Sequence, residues 1–216
     1  MRLGSNIFML AERPDLEARS RWLPSTFPEF MHHDAVVDRY WDALFADFAG
    51  FQIAVCDDGS GVLAAGHCIP VFWDGTIGDL PEGLDGVLER GTEGIRRGRA
   101  PTVVSALLAV VPPVHRGRGL SSVILGAMKA VAAKHGLEAL IAPVRPTLKE
   151  RYPLTPMERY GRWERDDGLP FDPGSWSNAG SARSFSGSRP SRCSSRELFG
   201  SRRDGRICIF PRPDLT

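Results

Sequence analysis

The sequence predicts an α/β fold, on three observations. Residues 102–111 (TVVSALLAVV) are an apolar run suited to a buried strand. A basic glycine loop, helical spacing over 120–135 and a second apolar run at 137–142 (LEALIA) follow directly, which makes a strand–loop–helix–strand unit. Residues 51–57 and 62–72 flank the turn Asp58-Gly59-Ser60-Gly61, the pattern of a β-hairpin. The 216 residues suit one domain, and an apolar share of 42% is enough for one core.

In chain order, residues 6–11 (NIFMLA) read as a first strand and 15–21 as a short helix after Pro14. The stretch 22–31 holds Pro24 and Pro28 and reads as irregular. Asp34 is a candidate N-cap for a helix reaching Phe48, with Val37, Tyr40, Trp41, Leu44, Phe45 and Phe48 on its apolar side. Glu29, His32 and His33 lie just before it. In the hairpin, Ala64, Ala65 and Gly66 suit a tightly packed strand, His67 lies mid-strand, and Pro70 predicts an interruption or a bend. Residues 84–97 read as a helix weakened by Gly91 and Gly94. Ahead of it, Trp73 beside Asp74 reads either as an amine-binding pair or as a packed ring with a solvated acid. After Pro146, Thr155, Pro156 and Glu158 have capping-box spacing for a helix to about Trp163.

The loop 112–119 (PPVHRGRG) predicts an anion site. The first amides of a helix have no partner within it, and its dipole puts positive charge there. Gly117 and Gly119 let an anion approach the backbone, and Arg116 and Arg118 add charge. The loop lacks the Lys-Ser/Thr ending of a P-loop and the three glycines of a dinucleotide fingerprint. A solvated basic turn is the competing reading of RGRG.

With its surroundings the loop is more specific. VVPPVHRGRGLSSVILGAM resembles the acetyl-CoA-binding segment of the GCN5-related N-acetyltransferase (GNAT) superfamily, whose pattern is a strand, then Gln/Arg-x-x-Gly-x-Gly/Ala, then a helix. Gly117 and Gly119 match the small positions, and Val114 stands where the pattern has Gln or Arg. The text IAPVRPTLKERYPLTPMERYGRWERDDGLPFDP resembles a subgroup of the same superfamily, so the likeness covers roughly residues 6–173. It implies the acyl-CoA N-acyltransferase fold, a mixed, mostly antiparallel sheet flanked by helices, with acetyl-CoA as co-substrate. Two parallel central strands would splay apart near Val110 and Ala142. The pantetheine arm would pair with Ala109, Val110 and Val111, and the pyrophosphate would sit on Arg116, Gly117, Arg118, Gly119, Leu120 and Ser121. The implied reaction is direct acetyl transfer to an amine, with a small-molecule acceptor expected. A catalytically degenerate CoA-binding sensor or interaction module of the same fold is the alternative.

The resemblance also implies a base and a donor to the leaving sulfur. Residues 102–111 contain no carboxylate, so the usual strand-borne glutamate is missing. Glu29, His32, His33 or His67 would have to serve, the histidines by virtue of their ordinary pKa. His67 equally reads as a core residue. Tyr160 and Tyr152 are the candidate donors to sulfur, and either reads equally as a packing residue.

The chain changes character after Pro173. Residues 174–216 are rich in serine, arginine and glycine, with eight arginines against three acidic residues, and apolar periodicity returns only at 207–210. Such a segment is expected to be disordered. Its break from the family pattern also raises a shifted reading frame, testable by translating the gene in the other frames, and leaves the final strands missing or altered. The division is therefore an acetyltransferase-like domain over 1–173 and a tail over 174–216. A net charge of +1 gives nucleic-acid binding no support. Four cysteines without C-x-x-C spacing predict free thiols and no metal site. No run is long and apolar enough for a signal peptide or a membrane span. The expectation is a cytoplasmic protein, without membrane attachment, with a possible homodimer through an uncovered sheet edge.

Overall fold

A computed structural model describes residues 6–21, 33–144, 146, 148–168, 171–172 and 206–211. Six strands form one sheet in the order of the chain, β1 (Asn6–Met9), β2 (Gln52–Cys56), β3 (Val62–Val71), β4 (Val103–Val110), β5 (Ala139–Val144) and β6 (Arg206–Pro211). Every neighbouring pair is antiparallel except β4 and β5. The helices are α1 (Glu17–Ser20), α2 (Ala35–Tyr40), α3 (Ala43–Ala46), α4 (Gly83–Arg96), α5 (Leu120–Lys134) and α6 (Met157–Tyr160). This is the predicted mixed, mostly antiparallel sheet flanked by helices. No described helix is long and apolar enough to cross a membrane.

Each sheet face carries its own core. On one face α5 lays Leu120, Ile124, Met128 and Val131 against Ile53, Val55, Val104, Ala106 and Leu140. On the other, Val37, Trp41, Phe45, Val87 and Leu88 from the remaining helices cover Ile69, Val71, Val103 and Ile141. The small residues of β3 are needed for this double cover: a Cβ on Gly66 would lie 2.4 Å from Ile124 Cγ2. Gly91, read from sequence as a weakness of α4, is a contact point, since a Cβ there would come within 2.6 Å of Ile69 Cδ1. Gly91→Ala should therefore lose stability, by about 1–3 kcal/mol, although alanine is the better helix former. A urea melt no weaker than wild type would refute this reading of Gly91.

Four local expectations need correction. The helix after Asp34 is properly capped, with the Asp34 carboxylate accepting from the Val36 and Val37 amides at 2.8 and 3.1 Å. It breaks at Trp41–Asp42, however, where Leu44 and Phe45 donate to carbonyls three residues back. Pro70 does not interrupt β3. Alternate residues of a strand turn their backbone groups to the same edge, and the Cys68 carbonyl accepts from the Gln52 side chain on the β2 edge. Pro70 therefore turns its missing N–H to that edge, where β2 has already ended at Gln52 opposite His67. The α6 turn is capped by Pro156, not Thr155, and ends at Tyr160. Finally, β6 pairs along β5 from Ala139↔Pro211 to Val144↔Arg206, so the edge expected to be bare is covered by the tail.

Candidate functional site

The site is built where β4 leaves β5. The two strands pair at Val104↔Leu140 and Ser105↔Ile141 and at no later position. The cause lies on the other side of β4: Cys68 faces Ala106 while His67 faces Leu108, so Leu107 is an extra residue. Such a bulge bends the strand that carries it. Beyond it, a cleft of about 340 Å³ opens between the β4 end and the start of α5, lined by Leu108, Ala109, Val110, Val111, His115, Arg116, Gly117, Gly119, Leu120 and Ser121.

Backbone amides supply the cleft with donors. Those of Gly117, Arg118, Gly119, Leu120 and Ser121 donate to no backbone carbonyl among the described residues, and helix bonding starts with Ser122 and Val123 onto Gly119. Gly117 and Gly119 hold φ of 74° and 73°, a region that costs other residues about 1–2 kcal/mol. A Cβ on either would meet nothing within 4 Å, so their role is backbone conformation and access. Free amides, a helix N-terminus and nearby guanidinium groups suit a phosphate-bearing ligand.

Eight of the nine residues predicted for the cofactor line this cleft. Arg118 does not: its guanidinium donates to His115 Nδ1 at 3.2 Å. Because that nitrogen accepts, a neutral His115 carries its proton on Nε2. His115 and Leu108 were not singled out from sequence; the glycine motif draws attention to the residues around it, and the bulge that brings Leu108 to the cleft has no local signature. Val114, at the departing motif position, is 82% exposed, so its side chain takes no part in the cleft.

The candidate catalytic residues are dispersed. Glu29 and His32 lie outside the described residues, and His33 is exposed ahead of the Asp34 cap. Neither Tyr152 nor Tyr160 lines the cleft. Tyr160 is buried, and its hydroxyl donates to Asp172 at 2.6 Å, while the Leu148 amide donates to the same carboxylate oxygen at 2.8 Å. Tyr152, Trp163 and Phe171 pack around the Tyr160 ring. Tyr160 thus ties the segment after β5 together. The Trp73-Asp74 pair is occupied locally: the indole donates to the Thr76 carbonyl, and the Asp74 carboxylate accepts from the Thr76 amide and hydroxyl.

His67 is fully buried, edge-on to Trp41 and Phe45. Its Nδ1 lies 3.1 Å from Gln52 Oε1. The Gln52 amide nitrogen donates to two backbone carbonyls, Phe48 and Cys68, at 2.9 Å each. That fixes Oε1 as an acceptor, so Nδ1 carries the imidazole proton and Nε2 holds a lone pair. Burial pushes the imidazole down to about 4; a backbone hydrogen bond with Ser20 favours the charged ring, and Arg21 disfavours it.

A stability consequence follows. Between about pH 6.5 and 4 the unfolded chain binds a proton at His67 that the folded chain refuses, so acid favours unfolding across that window. The His67 contribution is present above it and lost as pH falls through it, on the order of 3 kcal/mol. Urea melts at pH 7 and 4.5 should differ more for wild type than for His67→Gln; equal differences would refute the assignment.

The fold agrees with what the chain resembles. No family model matches it. Over 178 residues, 76% of this chain, it is 30% identical to the arginine N-acetyltransferase avaD of Aspergillus versicolor, and it spans 61% of that relative's length. The loading GNATL domain of CurA from Lyngbya majuscula superposes with a TM-score of 0.61 at 15% identity, covering 96% of this chain and 97% of that one. The GphF GNAT-like decarboxylase, solved with isobutyryl-CoA, gives 0.52 at 15% identity, covering 97% and 99%. With a bulged central strand parting from its parallel neighbour over a glycine-rich helix start, and with these likenesses, the chain has the GNAT fold.

Proposed function

We propose that this protein is an acetyl-CoA-dependent N-acetyltransferase that moves an acetyl group directly to the amine of a small molecule. The observation that carries the reading is the cleft at the parting of β4 and β5, lined by the β4 end from Leu108 to Val111 and by the glycine loop and helix start. The amides of Gly117 to Ser121, with Arg116 beside them, would hold the pyrophosphate. The open edge of β4 at Ala109, Val110 and Val111 would pair with the amides of the pantetheine arm. Acetyl-CoA supplies an activated thioester, and the protein has to orient an uncharged amine against it, since a protonated amine has no lone pair. Arginine is the first acceptor to try, because the 30% identical relative bears that name.

A second reading, a CoA-binding sensor without turnover, draws on two observations: β4 carries no carboxylate, and the Tyr160 hydroxyl is engaged by Asp172. Calorimetry with acetyl-CoA, followed by thiol release with a panel of amines that includes arginine, separates the two. Micromolar binding with release supports the transferase. Binding without release from any amine favours the sensor. Absence of binding by folded protein would remove both.

A further inference from the structure

The geometry points to His115 as a side-chain ligand of the cofactor's pyrophosphate: its Nε2–H donates to a phosphate oxygen, and Arg118 is the positioning residue that fixes which ring nitrogen donates. The inference rests on the acetyl-CoA reading above and adds a side-chain contact to those of the backbone amides. It starts from two neighbours in the turn that leads out of β4. Val114 is 82% exposed and stays out of the cleft. His115 is half-buried, between exposed Val114 and exposed Arg116, and lines the cleft.

Backbone and side chain both hold His115 in place. Pro113–His115 form one 3-10 turn, in which the His115 amide donates to the Pro112 carbonyl at 2.9 Å and the Arg116 amide to the Pro113 carbonyl at 3.3 Å. Pro112 and Pro113 stiffen the entry to this turn, since each ring locks φ. On the side chain, Nδ1 accepts from the Arg118 guanidinium at 3.2 Å, and among the described residues this is the hydrogen bond that the ring makes. A guanidinium has donors only, so the contact excludes the neutral ring with its proton on Nδ1 and leaves the proton on Nε2. A doubly protonated ring carries a proton there too, so the donor is present in either state.

Direction follows from which residues line the cleft. The two nitrogens of an imidazole direct their hydrogen bonds away from each other across the ring. Arg118 is exposed and outside the lining, whereas His115 is in it. The Nδ1 edge is turned to Arg118, and the Nε2 edge is the one left for the cleft. There the amides of Gly117 to Ser121 have no backbone acceptor among the described residues, and Arg116 adds a charge to the lining. A phosphate held by those donors would meet the Nε2–H from the turn before the loop. A hydrogen bond to an ionised acceptor is stronger than one between neutral groups, so its loss should cost about tenfold or more in affinity.

The test uses two substitutions in the full chain. Asparagine at position 115 reproduces the reach of Nδ1, and glutamine the reach of Nε2. Calorimetry is done with CoA and with inorganic pyrophosphate, a probe without the pantetheine arm. His115→Asn should bind both about tenfold or more weakly, and His115→Gln should stay within about threefold of wild type. Nitrogen NMR of isotope-labelled histidine should show His115 protonated on Nε2, with that signal moving as pyrophosphate saturates. Arg118→Leu should show both neutral tautomers in exchange. Equal affinities of the asparagine and glutamine variants overturn the phosphate contact, as does an Nε2 signal that saturating pyrophosphate leaves in place. A single Nε2–H tautomer in Arg118→Leu overturns the positioning role of Arg118. Failure of wild type to bind CoA is a separate outcome: it removes the cofactor reading and this inference with it.

Discussion

Gly119→Glu is expected to weaken acetyl-CoA binding about a hundredfold or more in a protein that still folds. Gly119 caps α5 at φ 73°, and its amide is one of those free to meet an anion. Two effects add. The left-handed conformation costs a side-chain-bearing residue about 1–2 kcal/mol. A carboxylate some 4 Å from a phosphate near the protein surface adds repulsion of up to about 4 kcal/mol per unit charge. Folding should survive, because a Cβ at this position meets nothing within 4 Å and a negative charge at a helix start is favourable. Gly119→Asn separates the effects: asparagine tolerates the backbone conformation and adds no charge, so affinity should fall by less than about tenfold. Calorimetry on both variants decides. Wild-type affinity in the glutamate variant would mean that the phosphates bind elsewhere.

Gly66→Val should destabilise the whole domain, by about 3 kcal/mol or somewhat more. The new Cβ would lie 2.4 Å from Ile124 Cγ2 and 3.0 Å from Met128 Cε, both on α5. Neither β3, paired on both sides, nor α5, packed along its length, has slack to absorb the overlap. The helix would have to lift, and its N-terminus forms the anion site, so acetyl-CoA affinity should fall as well. Gly66→Ala brings the same Cβ, and Ile124→Ala removes the atom it strikes. The double variant should recover about 1 kcal/mol or more relative to the sum of the singles. Strict additivity in urea melts would show that the contact does not limit the approach of α5 to the sheet.

The residues of this chain by themselves determined what depends on short-range pattern. The strand–loop–helix–strand unit, the hairpin, the Asp34 cap and the glycine loop are each written within about forty residues of one another. Periodicity, turn chemistry and helix-end electrostatics act over that range. Eight of nine expected cofactor residues line the cleft for that reason: strand end, loop and helix start are contiguous. Features that depend on distant partners were not legible. The capping-box spacing at Thr155 lost to Pro156. The apolar stripe ahead of Phe48 continues through the break at Trp41–Asp42, since the stripe records burial and not hydrogen bonding. Only the tertiary structure decided that Leu107 is the extra residue that parts β4 from β5. It alone set Tyr160 against Asp172 and brought β6 to the β5 edge across some sixty residues. It also fixed the His67 tautomer, because that depends on how Gln52 on the neighbouring strand spends its amide hydrogens. A residue's own neighbours in sequence fix its conformation and its face; what it can do there is set by the strands and helices that fold against it.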